Sequence, residues 1–195
     1  MINEENRRIL RNECLWHNIP IISNDTEIFL KEYIGINRPN SIIEIWSAVW
    51  YSTSILWEAM SCYNPYGEIF SWEISYPHYR QSLTNTQSYK NIRILLWNFC
   101  NYNCDNLLKK WYFDMVFIDG RKSETLLYLK NLSPYIHQTT HIIIDDVIKF
   151  KEKMQDCYDF LDKHNIYYDI YQIDSDDGVL VIPKWWPLIK ALSSL

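Results

Sequence analysis

The chain has 195 residues, 48% of them hydrophobic and 22% charged, which suits a single domain (1–195) with a sizeable core and excludes a mainly disordered protein. Its net charge of −5 gives no global attraction to nucleic acid, although local basic patches stay open. No apolar run approaches the roughly 20 residues of a bilayer span, and the opening MINEENRRIL has no signal-peptide core, so a cytoplasmic protein without a membrane partner is expected.

The segment before residue 40 reads as helical. Asn24 and Glu27 form a capping-box pattern ahead of Ile28, Leu30, Tyr33 and Ile34, with Gly35 and Pro39 closing the helix. An alternation follows over 41–183. Strands are expected at 41–45, 67–72, 92–96, 115–118 and 141–144, with helices at 52–62, 76–89, 123–132 and 149–164. Residues 167–173 and 179–182 read as a closing antiparallel pair around Asp176-Asp177-Gly178. Strands apolar on both faces, separated by helices, predict an α/β fold: a mostly parallel sheet covered on both sides.

Ligands in such sheets bind beyond the carboxyl ends of the strands, so the polar residues that end strands are the candidates. Glu73 ends the second strand, 23 residues after Trp50, near the spacing at which an acid holds a ribose diol. Asp119 ends the fourth and Asp145-Asp146 the fifth; three converging carboxylates call for a hard cation such as magnesium, manganese or calcium. Lys122, three residues after Asp119, can serve as a base if nearby positive charge lowers its pKa. Plainer readings compete, since a lone strand-end Asp is more often a cap and a lone lysine a solvated one. His137 and His141 read as loop residues, Cys100 and Cys104 as packing residues, and Lys149, Lys151 and Lys153 as a solvated face. The five cysteines lack any C-x-x-C, so reduced thiols are expected rather than disulfides or zinc.

The segment IIEIWSAVWYSTSILWEAM resembles the first motif of class I S-adenosylmethionine-dependent methyltransferases, written E-I-G-x-x-x-G-Y-S-T. FDMVFIDGRKSETLLYL with HIIIDDV resembles the cation-dependent catechol and caffeoyl-CoA O-methyltransferases. HNIPIIS and DSDDGVLVIPK are similar to their bacterial branch, which includes tRNA 5-hydroxyuridine methyltransferase. The resemblance implies a Rossmann-like fold of seven strands. It places Glu44, Trp46 and Trp50 in the cofactor loop, Ser52 at the cofactor carboxylate, Glu73 at the ribose and Asn98 near the adenine, with Asp119 close by. It also implies that Asp119, Asp145 and Asp146 hold a divalent cation, where the third ligand is commonly Asn, and that Lys122 takes the hydroxyl proton beside Asp119. The acceptor it implies is a small catechol-like aromatic or a hydroxylated tRNA base; for tRNA, Arg7, Arg8 and Arg11, Lys109-Lys110 and Arg121-Lys122 are the basic candidates. Relatives often pair as homodimers through N-terminal helices.

The departures share one pattern. Trp46 and Trp50 stand at the two motif glycines, and Trp97 at the glycine usually preceding the adenine-binding acid. Glycine suits the loop because it accepts unusual torsions and lets the cofactor approach the backbone, whereas an indole adds about 150–250 Å² of side chain. Either the fold cannot seat its cofactor and serves as a non-catalytic binding module, or these tryptophans mark UGA codons that the source organism reads as glycine. Four glycines and nine tryptophans together nearly match the roughly 14 glycines of average usage, which favours the second account. Trp111 and Trp185-Trp186 fall at turn-like places, while Trp57 and Trp72 do not obviously prefer glycine.

Overall fold

The computed structural model describes residues 4–101, 112–183, 187 and 191–192. Short runs rich in Ile, Val and Phe form β1 (Ser41–Ile45), β2 (Glu68–Glu73), β3 (Ile92–Leu96), β4 (Phe113–Ile118), β5 (Ile136–Ile144), β6 (Asp169–Gln172) and β7 (Gly178–Ile182). They make one sheet in the order β3-β2-β1-β4-β5-β7-β6. Pairs among β1 to β5 are parallel, and β7 lies antiparallel to both β5 and β6. The chain steps outward from β1 to β3, then returns to place β4 on the other side of β1. That reversal opens a crevice at the carboxyl ends of β1 and β4.

Successive strand residues point to opposite faces, and two cores result. Ile42, Ile69, Met115, Ile143 and Val181 pack with Leu10 of α1 (Glu4–Trp16), Leu30 and Ile34 of α2 (Asn24–Asn37), and Ile55 and Met60 of α3 (Tyr51–Ser61). On the other face Ile43, Phe70, Val116, Ile142 and Ile144 meet Leu129 and Leu132 of α5 (Thr125–Leu132) and Cys157 and Leu161 of α6 (Gln155–Lys163). Between them in sequence, α4 (Tyr76–Thr86) packs beside β2 and β3. Among the described residues no helix is long and apolar enough to cross a membrane.

Several local expectations are corrected. Ser23, not Asn24, caps α2, its Oγ accepting from the Thr26 amide at 3.0 Å. Gly35 lies inside that helix; the closing residue is Arg38, left-handed at φ 49, whose amide bonds to the Ile34 carbonyl. His137 and His141 belong to β5, which starts at Ile136 rather than 141 because the sheet continues into a polar, partly exposed stretch. The expected helix 149–164 begins as a 3₁₀ turn, Lys151–Met154, before α6. Cys104, Lys109, Lys110, Trp111, Trp185 and Trp186 lie outside the described residues.

Candidate active site

The strand-end acids are fixed by ladder bonds that run one residue past their strands. The Asp119 amide donates to the Ile45 carbonyl at 3.1 Å, and the Asp145 amide to the Ile118 carbonyl at 3.0 Å. Asp146 follows in the left-handed region at φ 55, a conformation that Asp and Asn tolerate better than other side chains with a Cβ. Lys122 sits on a 3₁₀ turn (Lys122–Glu124), with its Nζ 3.0 Å from Asp119 Oδ1 and 3.5 Å from Asp146 Oδ2. Asp145 is buried, and the Thr26 hydroxyl of α2 lies 3.5 Å from its Oδ1.

Burial and the neighbouring charges of Asp119 and Asp146 push the Asp145 carboxyl well above its usual range. For Lys122, burial pulls the pKa down, but the charges of Asp119, Asp146 and Asp145 outweigh it and the net shift is upward. The condition for Lys122 to serve as a base, a pKa lowered by nearby positive charge, is not supplied by the protein groups around it. Its neighbours are acids, and they hold it protonated.

These four residues line one cavity of about 540 Å³, together with Trp46, Arg121, Phe150 and residues of the Asp174–Gly178 loop. Six aspartates face it against four lysines and arginines. Hard carboxylate oxygens and an excess of negative charge suit a divalent cation in chemical kind. Among the described residues, however, no three His, Cys, Asp or Glu side chains are placed to hold one ion together. The positive charge between Asp119 and Asp146 is the Lys122 ammonium.

The loop from β1 to α3 passes over the ends of β1 and β2. Both the Trp46 and Ser47 amides donate to the Trp72 carbonyl, at 2.9 and 3.1 Å, and α4 supports the loop through Ser82 Oγ, which donates to the Ala48 carbonyl at 3.0 Å. Three residues here are left-handed: Trp46 and Trp50 at φ 76 and Ala48 at φ 46. A bulky side chain at such a torsion is a genuine outlier, whereas glycine adopts it freely. The two indoles then diverge. Trp46 is half-buried in the cavity wall, with the Arg121 guanidinium 5.7 Å from its ring. Trp50 is 1% exposed and turns the other way, into the core beneath α1 and against Tyr89, with its Nε1–H unpartnered. Of the two indoles, then, only Trp46 lines this cavity.

Glu44 has no exposed surface. It takes hydrogen bonds from the hydroxyls of Ser52 (2.5 Å), Thr53 and Ser71 (2.6 Å), so both Glu44 and Ser52 are spent on fastening the start of α3 to β1 and β2. Burial raises the Glu44 pKa to about 7 even against those three donors. Glu73, at the end of β2, is also buried. Its Oε1 accepts from the Ser75 amide at 2.6 Å, while its Oε2 has no partner. A buried carboxylate oxygen left open beside the loop fits a ribose diol. Asn98 is half-buried with its Oδ1 bonded to the Cys100 amide, and Trp97 is 53% exposed. Neither Glu73 nor Asn98 lines the cavity that holds the acids, whose wall on that side includes Trp46.

The expected basic patch at the start of the chain is not free. Arg7 is buried and pairs with Glu27 and Glu58, Arg8 pairs with Glu5 at 2.8 Å, and Arg11 donates to the Ile22 carbonyl and the Tyr51 hydroxyl. Lys31 completes the network with Glu27 and Glu58, both at 2.9 Å. These charges lock α1 and α2 onto α3. Spacing along the sequence gave no signal for it, since Arg7 meets a partner 51 residues away.

With that geometry established, solved structures give the comparison. The chain is 20% identical, over 91% of both chains and with a TM-score of 0.76, to a Staphylococcus aureus protein assigned as a caffeoyl-CoA O-methyltransferase. It is 17% identical to a Bacillus cereus O-methyltransferase solved with SAH, covering 94% of this chain and 93% of that one, also at 0.76. Against TomG of Streptomyces achromogenes, solved with SAM, it is 14% identical at TM-score 0.75, covering 93% and 91%. The fold is that of the class I O-methyltransferases. No family model matches the chain, and no curated protein matches it by sequence. In this O-methyltransferase fold the Trp46–Trp50 loop and the Asp119, Asp145 and Asp146 rim share the carboxyl edge of the sheet, as the sequence motifs anticipated.

Proposed function

We propose that this chain, with glycine at positions 46 and 50, is an S-adenosylmethionine-dependent O-methyltransferase acting on a small catechol-like hydroxyl acceptor. The observation that carries the proposal is the gathering of Asp119, Lys122, Asp145 and Asp146 round one cavity at the topological switch of the sheet. A scaffold needs no buried lysine beside three acids. Glu73, through its open Oε2, would hold the ribose of the methyl donor, and Glu44 keeps the loop above it in place. The carboxylates of Asp119, Asp145 and Asp146 have the donor chemistry of a divalent-cation site, magnesium by kind, and a cation taken up there would make the acceptor hydroxyl more acidic; among the described residues the three are not set around one point. Lys122, held 3.0 Å from Asp119 Oδ1, would take the hydroxyl proton in its neutral form, having first released its own proton to water in the cavity. The acceptor oxygen forms its bond to the methyl carbon as the carbon–sulfur bond breaks, leaving a neutral thioether, so alignment of the three atoms is the protein's main contribution.

A second reading has its own observation. In the chain as written, Trp46 stands in the cavity wall, and a protein that keeps it is a methyltransferase-fold binding module without methyl donor. A tRNA acceptor loses support from the paired Arg7, Arg8 and Arg11. The experiment is radiolabelled methyl transfer from S-adenosylmethionine to catechol by the written chain and by Trp46→Gly/Trp50→Gly, with and without chelator. Transfer by the glycine form alone supports the first reading; no transfer by either supports the second. Sequencing the gene for in-frame UGA at codons 46 and 50 decides which form is native.

A further inference from the structure

Beyond the acids, the same cavity has a second chemical character at its mouth. Lys149, Phe150 and Lys153 line it, directly after the strand-end pair Asp145-Asp146. The segment is pinned from behind: the Val147 amide donates to the Gly178 carbonyl at 3.0 Å, the Tyr158 hydroxyl to the Val147 carbonyl at 3.0 Å, and Met154 is wholly buried. The 3₁₀ turn that begins after Phe150 brings positions i and i+3 into line, so Phe150 and Lys153 share one side. The Lys153 Nζ lies 4.8 Å and the Lys149 Nζ 5.8 Å from the centre of the Phe150 ring. Both lysines are exposed, and among the described residues neither has a carboxylate within ion-pair distance. Asp174, Asp176 and Asp177 face the same cavity, but two of them turn charge towards the backbone. Asp177 Oδ1 accepts from the amides of Ile148, Lys149 and Gly178, and Asp174 Oδ1 from those of Asp176 and Asp177.

We propose that Lys149, Phe150 and Lys153 form a cationic shelf that selects an acceptor whose hydroxylated ring bears an anionic oxygen group at its non-reacting end. The inference rests on the acceptor site assigned above. The ring would lie along Phe150, its hydroxyls towards Asp119 and Lys122, and its anion between the two ammonium groups. The same anionic oxygens can belong to a carboxylated small molecule or to an RNA phosphate.

The test is calorimetric titration of the full chain with 3,4-dihydroxybenzoate, with catechol and with bulk tRNA, repeated on Lys149→Gln/Lys153→Gln. Two exposed charges predict about tenfold tighter binding of 3,4-dihydroxybenzoate than of catechol at low salt, and loss of that preference in the double variant. If tRNA displaces the benzoate and its binding falls in the double variant, the shelf stands and the anion is a phosphate. If tRNA does not displace it, the shelf stands with a small-molecule anion. Equal affinity for the two ring compounds, a preference untouched by the double variant, or no binding of either compound at millimolar concentration overturns the proposal. The titration needs no methyl donor, so its failure is separate from failure of methyl transfer. Unchanged circular dichroism shows that the variant is folded.

Discussion

Two stretches of the carboxyl edge, the loop 46–50 and the acid rim at 119–122 and 145–146, come from neighbouring strands and carry opposite relations between backbone and side chain. On the rim the left-handed position belongs to Asp146, a residue type that accepts φ 55. In the loop the same region of torsion space is forced on Trp46 and Trp50. Backbone and side chain agree at one site and conflict at the other, although both backbones follow one fold. The loop keeps a glycine conformation without glycine. That mismatch ties the abnormal composition, the Trp46 indole in the cavity wall and the unpartnered Trp50 indole to one cause.

The sharpest break in this comparison is expected at the rim. In the glycine form, Lys122→Met should lower kcat for methyl transfer by about 10²–10⁴-fold with little change in affinity for the methyl donor, the range for a lost general base. A drop below tenfold would show that Lys122 only neutralises the acids. Next comes Glu73→Gln, which should weaken donor binding by about 10–100-fold, the range for hydrogen bonds to a charged group, while the fold stays intact. Calorimetry reads this directly, and unaltered affinity would remove Glu73 from the site.

Stability separates the two tryptophans. Relief of a left-handed bulky residue is worth about 1–3 kcal/mol at each position. At half-buried Trp46 little packing is lost, so Trp46→Gly should raise the midpoint of urea unfolding. At Trp50 the lost core volume costs about 3–5 kcal/mol, offset by relieved strain and by removal of an unpaired indole N–H, so the net change should be near zero or a modest loss. A gain at Trp46 without a gain at Trp50, measured in parallel, sharpens the contrast; a clear loss at both contradicts it.

The smallest effect is in pH. Glu44 has a folded pKa of about 7 against an ordinary 4.5, so between these values the folded state holds a proton that the unfolded state has released. Its contribution to stability therefore falls as pH rises from about 4.5 to 7 and levels off above. Glu44→Gln should flatten that part of the stability profile, and a parallel profile would show that Glu44 is ionised throughout.

Much of this architecture was legible because strand-end chemistry is local. The apolar runs ending in Asp119 and in Asp145-Asp146 announce a parallel sheet and its functional edge at once, and the tryptophans at motif glycines announce the strained loop. What could not be read depends on partners distant in sequence. Arg7 as a member of a basic patch becomes Arg7 in a buried network with Glu27 and Glu58 only after α1 and α3 pack. The direction of the Lys122 shift depended on which charges arrive beside it, and Trp50 could not be seen to turn into the core. The shelf was missed because Lys149, Lys151 and Lys153 read as one solvated run. The structure leaves all three exposed, yet it is the bend at Phe150 that brings Lys149 and Lys153 to the cavity.

The most direct measurement is calorimetric titration of S-adenosylmethionine into the chain as written and into Trp46→Gly/Trp50→Gly. If indoles at glycine torsions close the cleft, the written chain takes up no measurable methyl donor and the glycine form binds it with a one-to-one transition. Equally tight binding by both forms would mean that Trp46 leaves the donor's place open, and the conflict between backbone and side chain would have no functional consequence.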